Sequence, residues 1–209
     1  MNPSTSVHQH HRLAASRCCG LLLAAGSGSR FDTSGADNKL LAHLPGTDAT
    51  VVELAARSML AVFPVLAVVS SLHNEVAQRL LALGCEVVEC QYAADGMSAS
   101  LMCGVAHTQD AAGWIVALGD MPFVRTSTHA GLLAALRDGV DIAVPSYQGR
   151  RGNPVAFSQY HRAALLQLHG DAGAKGLLQA FPVQYIPVND SGIHRDIDTR
   201  ADLTQLIND

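Results

Sequence analysis

The chain is predicted to fold as a three-layer α/β/α unit around a mostly parallel sheet. Three observations predict this. Apolar runs alternate along the sequence with helical patterns, the order expected of parallel strands joined by crossover helices. The clearest runs, such as Val65-Leu66-Ala67-Val68-Val69, are continuous rather than alternating, which marks strands buried on both faces. The composition supplies one sizeable core: 48% of the 209 residues are hydrophobic and only 15% are charged, with 18 glycines and 5% aromatics.

The elements follow in order. Residues 1–16 are polar and contain His8, His10 and His11, and are expected to form a disordered leader ahead of a single domain at 17–209. The apolar stretch after Arg12 does not read as a secretory signal: Arg17 interrupts it, and Gly26-Ser27-Gly28-Ser29-Arg30 follows instead of a small-residue cleavage site. It is expected to give the first strand, at 20–25. Helix 50–62, strand 65–70 and helix 72–83 come next, the last carrying Leu72, Val76, Leu80 and Leu83 at spacings of three and four. Strand 86–90 and helix 98–108 precede the most apolar strand, 114–118. Helix 127–137, strand 141–145, a loop at 149–153, strand 154–157 and helix 158–168 lead to helix 174–181 and strand 183–188. A loop at 189–194 and helix 200–206 complete the pattern.

Composition excludes several classes of function. A formal net charge of −4 provides no broad basic footprint for nucleic acid. No apolar stretch approaches the roughly 20 residues that span a bilayer. The five cysteines, Cys18, Cys19, Cys85, Cys90 and Cys103, form no Cys-x-x-Cys pair and no disulfide framework, which fits a reduced, cytoplasmic setting. His43, His73, His107, His129, His161 and His169 show no zinc-ligand spacing, and there is no nucleophile elbow.

In an open parallel sheet, ligands bind beyond the carboxyl ends of the strands, so the loops there carry the chemistry. The first reads Leu23-Ala24-Ala25-Gly26-Ser27-Gly28-Ser29-Arg30-Phe31. Its small residues let backbone N–H groups approach a phosphate, Arg30 offers a charged fork, and Lys39 can fold back as a mobile charge. It fits neither the dinucleotide fingerprint nor the Walker A loop, and an ordinary Gly-Ser turn is the alternative. Gly96-Met97-Ser98-Ala99-Ser100 opens a helix, with Ser98 as the N-cap candidate. It reads either as a hydroxyl and amide ledge beside a ligand or as a plain capped helix with Met97 and Met102 as core filler. Gly119-Asp120-Met121-Pro122 places a carboxylate at the end of the most apolar strand, where Mg²⁺ carried by a triphosphate is a fitting partner; the alternative, a cap for the helix starting near Thr126, is weakened by the six-residue gap. Arg150 and Arg151 lie before Gly152-Asn153-Pro154, as acceptor-phosphate ligands or as a solvated basic turn. Asp171 is a candidate N-cap with Lys175 one turn on. Near the end, Asp196 and Asp198 fall on one face if the stretch is extended, and one of them is a candidate second metal ligand.

Taken together these motifs resemble the MobA-like nucleotidyltransferases, and within them the molybdenum cofactor cytidylyltransferases. The matching residues are Leu-Ala-Ala-Gly-x-Gly-x-Arg-Phe with Asn38-Lys39-Leu40, then Gly96-x-Ser98-x-Ser100-Leu101, Gly119-Asp120-Met121-Pro122, Gly152-Asn153-Pro154-Val155-x-Phe157 and Asp196-Ile197-Asp198-Thr199. The chain departs from the pattern at Lys175, where an arginine is usual, and at Arg200, where a proline is usual.

The resemblance implies the Rossmann-like, glycosyltransferase-A-like fold of the nucleotide-diphospho-sugar transferases. It implies CMP transfer from CTP to the terminal phosphate of molybdopterin, with Mg²⁺ as cofactor, pyrophosphate as leaving group and a molybdoenzyme as a transient partner. Arg30, Lys39 and Asp120 are then the catalytic residues. Leu23, Ala24, Ala25, Gly26, Ser27, Gly28, Arg30, Lys39, Gly96, Ser98 and Ser100 bind the nucleotide. Arg151, Gly152, Asn153, Asp171 and Lys175 bind the acceptor, and Asp120 with Asp198, or Asp196 in its place, holds the metal. Guanylyl-transferring relatives typically carry glycine at the Ala25 position, and a methyl there narrows the pocket toward a pyrimidine, a discrimination of roughly 1–3 kcal/mol. A different phosphorylated acceptor, such as a sugar phosphate, and a non-catalytic cofactor carrier are the alternatives.

Overall fold

The computed structural model describes residues 17–26, 28, 31–32, 37–170 and 173–205. Among these, the strands are β1 (Cys18–Leu23), β2 (Val65–Val69), β3 (Glu86–Glu89), β4 (Gly113–Leu118), β5 (Ile142–Tyr147), β6 (Arg150–Arg151), β7 (Val155–Ser158) and β8 (Gln184–Pro187). The helices are α1 (Val51–Leu60), α2 (Glu75–Ala82), α3 (Met97–His107), α4 (Thr126–Arg137), α5 (Arg162–Leu165), α6 (Lys175–Ala180) and α7 (Arg200–Gln205). The sheet runs β3-β2-β1-β4-β7-β5-β6, with β8 parallel to β5. Strands β3, β2, β1 and β4 are mutually parallel, and β7 is inserted antiparallel between β4 and β5.

The continuous apolar strands are explained by two cores, one on each face. Successive residues of β1 and β4 point alternately into them. Leu22, Ile115 and Ala117 join α1, α2 and α4 on one side; Leu21, Leu23, Trp114 and Val116 join α3, α5 and α6 on the other. The Trp114 indole donates to Thr108 Oγ1 at 2.8 Å, so its one polar group is satisfied inside the core. Helix α1 starts where expected, with the Glu53 carboxylate accepting from Thr50 N at 2.7 Å and Thr50 Oγ1 at 2.8 Å.

Four local expectations are corrected. The stretch expected as a loop at 149–153 forms strand β6. Gln148 (φ 52°) and Gly149 (φ 75°) make a two-residue turn with both φ values positive, the geometry that closes a hairpin onto β5. The helix expected at 158–168 is shorter, because Ser158 N still donates to Asp141 O in the sheet; a 3-10 turn at Gln159–His161 then leads into α5. Part of the loop expected at 189–194 is a 3-10 turn, Ser191–His194, capped by the Asp190 side chain. Helix α3 begins at Met97 with Gly96 (φ 109°) as its N-cap, not Ser98, since the glycine supplies the sharp change of direction. The leader at 1–16 lies outside the described residues.

Candidate active site

Strand order reverses between β1 and β4, and the carboxyl ends of these adjacent strands are level, Leu23 opposite Leu118. Gly119 N donates to Leu23 O at 2.9 Å, which holds the two following loops side by side. Such a switch point leaves a crevice above the strand ends. Here it is a cleft of about 760 Å³ floored by Leu23 and Leu118. Ala25, Gly26 and Gly28 line it from the loop after β1, and Ala93, Ala94, Gly96 and Ser100 line it from the segment after β3. Gly28 has φ +64°, a left-handed conformation that suits glycine, and a Cβ built there would lie 3.4 Å from Lys39 Cγ.

Lys39, Asp120 and Asp198 complete the lining. Their placement is local in origin. Asn38 accepts from Leu40 N at 3.0 Å and caps the 3-10 turn that begins at Lys39, while Leu40 anchors that turn in the core. Asp120 leaves β4 directly. The segment bearing Asp198 docks on it through Ile197 N to Asp120 O, at 2.8 Å, with Ile197 buried. The Asp202 carboxylate reaches back to accept from Asp198 N at 3.0 Å, and from Thr199 N at 2.6 Å and its hydroxyl at 2.9 Å. Asp202 thus ties Asp198 and Thr199 to the first turn of α7.

Lys39 Nζ donates to Asp120 Oδ2 and to Asp198 Oδ1, each at 2.7 Å. Burial by itself would lower its pKa; the hydrogen bonds and charges of both carboxylates outweigh that and leave it raised. Asp120 Oδ1 is buried and has no hydrogen-bond partner among the described residues. Asp196 is exposed and does not line the cleft. Partial desolvation, together with the nearby Asp198 and Asp120 charges, raises its pKa.

A second cavity of about 270 Å³ adjoins the first and shares Leu23, Met97 and Leu118 with it. Arg151, Gly152, Asn153 and Lys175 line it, among Val144, Val155, Phe157 and Leu178. The structure therefore gathers residues from the hairpin and from α6 that are distant in sequence. Gly152 is required by close approach: a Cβ built there would stand 2.4 Å from Ile193 O. Arg150 is exposed and does not line this cavity, as strand alternation with Arg151 dictates.

Five predicted residues are placed differently from expectation or lie beyond description. Ser98 does not line the cleft. It is 1% exposed, its Oγ is unpartnered, and it lines a separate, mostly apolar cavity of about 520 Å³ with Cys103 and His169. Ala24 is buried beneath Gly119 rather than lining the cleft. Ser27 and Arg30, together with Asp171, lie outside the described residues. Sequence reading missed the position of Met97, which is 43% exposed and lines both cavities instead of filling the core. Its place directly after Gly96, at a helix start on a strand's carboxyl side, was the available signal. Arg200, where the resembled pattern has proline, lies over the Phe31 ring at 5.3 Å from the centroid and pairs with Asp37.

Among the described residues no helix is long and apolar enough to cross a membrane. Comparison with known proteins gives three informative relatives. Nicotine blue oxidoreductase of Paenarthrobacter nicotinovorans is 32% identical over 202 residues, 90% of this chain and 95% of that protein. The crystal structure of Rv0371c from Mycobacterium tuberculosis H37Rv in complex with manganese is 27% identical, with a TM-score of 0.71 over 92% of this chain and 98% of that one. Molybdopterin-guanine dinucleotide biosynthesis protein A from Archaeoglobus fulgidus shares the fold at 20% identity, with a TM-score of 0.64 over 90% of this chain and 96% of that one. The model of the MobA-like NTP transferase domain matches residues 20–186, and the chain belongs to that family of nucleotidyltransferases.

Proposed function

We propose that this protein transfers CMP from CTP to the terminal phosphate of molybdopterin, in a cytoplasmic setting. The observation that carries the reading is the junction of Lys39, Asp120 and Asp198 beside a glycine-lined cleft at the sheet's switch point. Ala25 and Gly26 line the cleft with small surfaces that admit a nucleotide, and the Ala25 methyl favours a pyrimidine. Gly28 cradles the triphosphate, a role the sequence motif gives to Ser27 and Arg30 as well, and Lys39 supplies the mobile positive charge. Asp120 and Asp198 would hold a divalent cation, Mg²⁺ on this reading. The buried, unpartnered Asp120 Oδ1 suits that role. Among the described residues no group of three or more His, Cys, Asp or Glu could hold a metal, so the other ligands would be phosphate oxygens and water. When bound, the cation neutralises phosphate charge as a Lewis acid.

On the acceptor side, Arg151 and Lys175 face the acceptor's anionic end, and the apolar wall of the smaller cavity takes its heterocyclic body. Gly152 and Asn153 shape the rim, and Asp171 is assigned to the same side. An acceptor phosphate is already anionic, so the residues need to supply positioning and charge rather than a general base.

The test is thermal stabilisation by CTP, GTP, ATP and UTP, each with and without Mg²⁺. A nucleotide at about 100 times its Kd adds roughly 2.7 kcal/mol. A CTP-selective, Mg²⁺-dependent shift is expected. GTP selectivity would move the reading to guanylyl transfer, and no shift with any nucleotide would favour a cofactor carrier.

A second reading, oxidoreduction, is favoured by the 32% identity to an enzyme named nicotine blue oxidoreductase across 95% of its length. Stabilisation by NADH or NADPH but not by CTP would support it.

A further inference from the structure

We propose that Lys39 is a resident stand-in for the divalent cation and exchanges with it: Lys39 clamps the two carboxylates in the nucleotide-free protein and leaves them when the cation arrives. This rests on the nucleotidyl-transfer reading of the same cleft. The Lys39 ammonium stands 2.7 Å from Asp120 Oδ2 and 2.7 Å from Asp198 Oδ1. A cation held by those same two oxygens would need the volume the ammonium fills, and two positive charges do not share it. One of the two has to leave.

The ammonium is also an incomplete substitute. It satisfies Asp120 Oδ2 but leaves the buried Asp120 Oδ1 without a partner. A metal ion can use a carboxylate through both oxygens or recruit water to the second.

The exchange requires only side-chain motion. The Lys39 backbone is pinned by the Asn38 cap and by buried Leu40. Its stem passes Gly28, where a built Cβ would lie 3.4 Å from Lys39 Cγ, so the flexible outer carbons can carry Nζ from the carboxylates toward the loop after β1. The same lysine then serves both states. It keeps two neighbouring carboxylates from repelling each other in the empty cleft, and it becomes available to phosphate once they are otherwise neutralised. Cation and triphosphate binding are thereby coupled, because each favours the state in which Lys39 has moved.

The chain contains two lysines, Lys39 and Lys175, and Lys175 is exposed, so one serves as the internal reference for the other. The experiment is limited acetylation of the full chain with a water-soluble N-hydroxysuccinimide ester, read at each lysine by peptide mass spectrometry. Mn²⁺ alone is the probe, and its binding is followed by electron paramagnetic resonance. Without metal, Lys39 should react much more slowly than Lys175. Saturating Mn²⁺ should accelerate Lys39 by roughly tenfold and leave Lys175 unchanged, the factor expected if Lys39 occupies the seat about nine-tenths of the time. For the same reason Lys39→Met should bind Mn²⁺ about tenfold more tightly than the unaltered protein. Mn²⁺ bound with no change in Lys39 reactivity overturns the exchange and leaves the nucleotidyl-transfer reading standing. No Mn²⁺ bound either with or without CTP overturns that reading, and the exchange with it.

Discussion

The two adjoining cavities share Leu23, Met97 and Leu118 but handle charge in opposite ways. In the cleft above β1 and β4, the Asp120 and Asp198 carboxylates share the one Lys39 ammonium; the side chains are 20%, 30% and 11% exposed. In the cavity against β5 and β7, Arg151 and Lys175 are exposed cations among apolar walls. Part-buried charge is tolerated when paired, so loss of Lys39 leaves two neighbouring carboxylates unpaired, whereas loss of either carboxylate leaves one ion pair standing. Exposed cations are solvated, so the second site is electrostatically cheap to alter and its selectivity rests more on shape.

The most severe test of this contrast is Asp120→Asn. It removes one carboxylate charge beside Lys39, and turnover should fall at least about 10²–10³-fold. Steady-state kinetics with CTP and acceptor measure this, and an active Asp120→Asn protein would end the assignment of Asp120 to the chemistry.

Protons provide the next largest effect. His129 is 1% exposed and lies beneath the Asn153-Pro154 side of the second cavity. Burial pushes its pKa down from 6.5 to about 4, with Asp190 opposing this weakly. The fold therefore favours the neutral imidazole. Stability is full above about pH 6.5 and falls as the pH drops toward 4, by roughly 3 kcal/mol at most. Urea midpoints across that range should drop for the native protein and much less for His129→Gln.

Weaker effects are expected where the cations are solvated. Arg151→Ala and Lys175→Ala should each raise the acceptor KM by about 5–20-fold with little change in CTP affinity, and the effect should shrink with added salt. A CTP affinity loss equal to the acceptor loss would break the division between the cavities. Arg200→Pro restores the residue usual in the resembled pattern but removes the Phe31 and Asp37 contacts. A stability change of about 1 kcal/mol or less is expected by thermal melting, since Arg200 and Asp37 are both exposed and a cation–π contact from an exposed arginine contributes about 0.5–1 kcal/mol.

The element types were largely legible from sequence because both cores reward apolar periodicity directly. The continuous run at 65–69 and the three-and-four spacing of Val76, Leu80 and Leu83 each report the surface they bury. Arg150 and Arg151 were not legible as a strand, because the signal lies in the unusual backbone of Gln148 and not in any apolar pattern. Likewise the choice between Asp196 and Asp198 could not be made from alternation alone. The structure shows that Asp198 lines the cleft and Asp196 does not, with Ile197 inserted into the core and Asp202 holding the Asp198 backbone.

By itself, then, the sequence determined the layered α/β class, the small-residue loop after the first strand and the presence of carboxylates at later strand ends. All three depend on residue type and short-range spacing. Only the tertiary structure decided that Lys39 sits between Asp120 and Asp198, that Ser98 turns away while Met97 borders both cavities, and that Arg151 and Lys175 line one cavity. Those facts follow from the strand order and from backbone contacts between segments more than 20 residues apart, which no local pattern encodes.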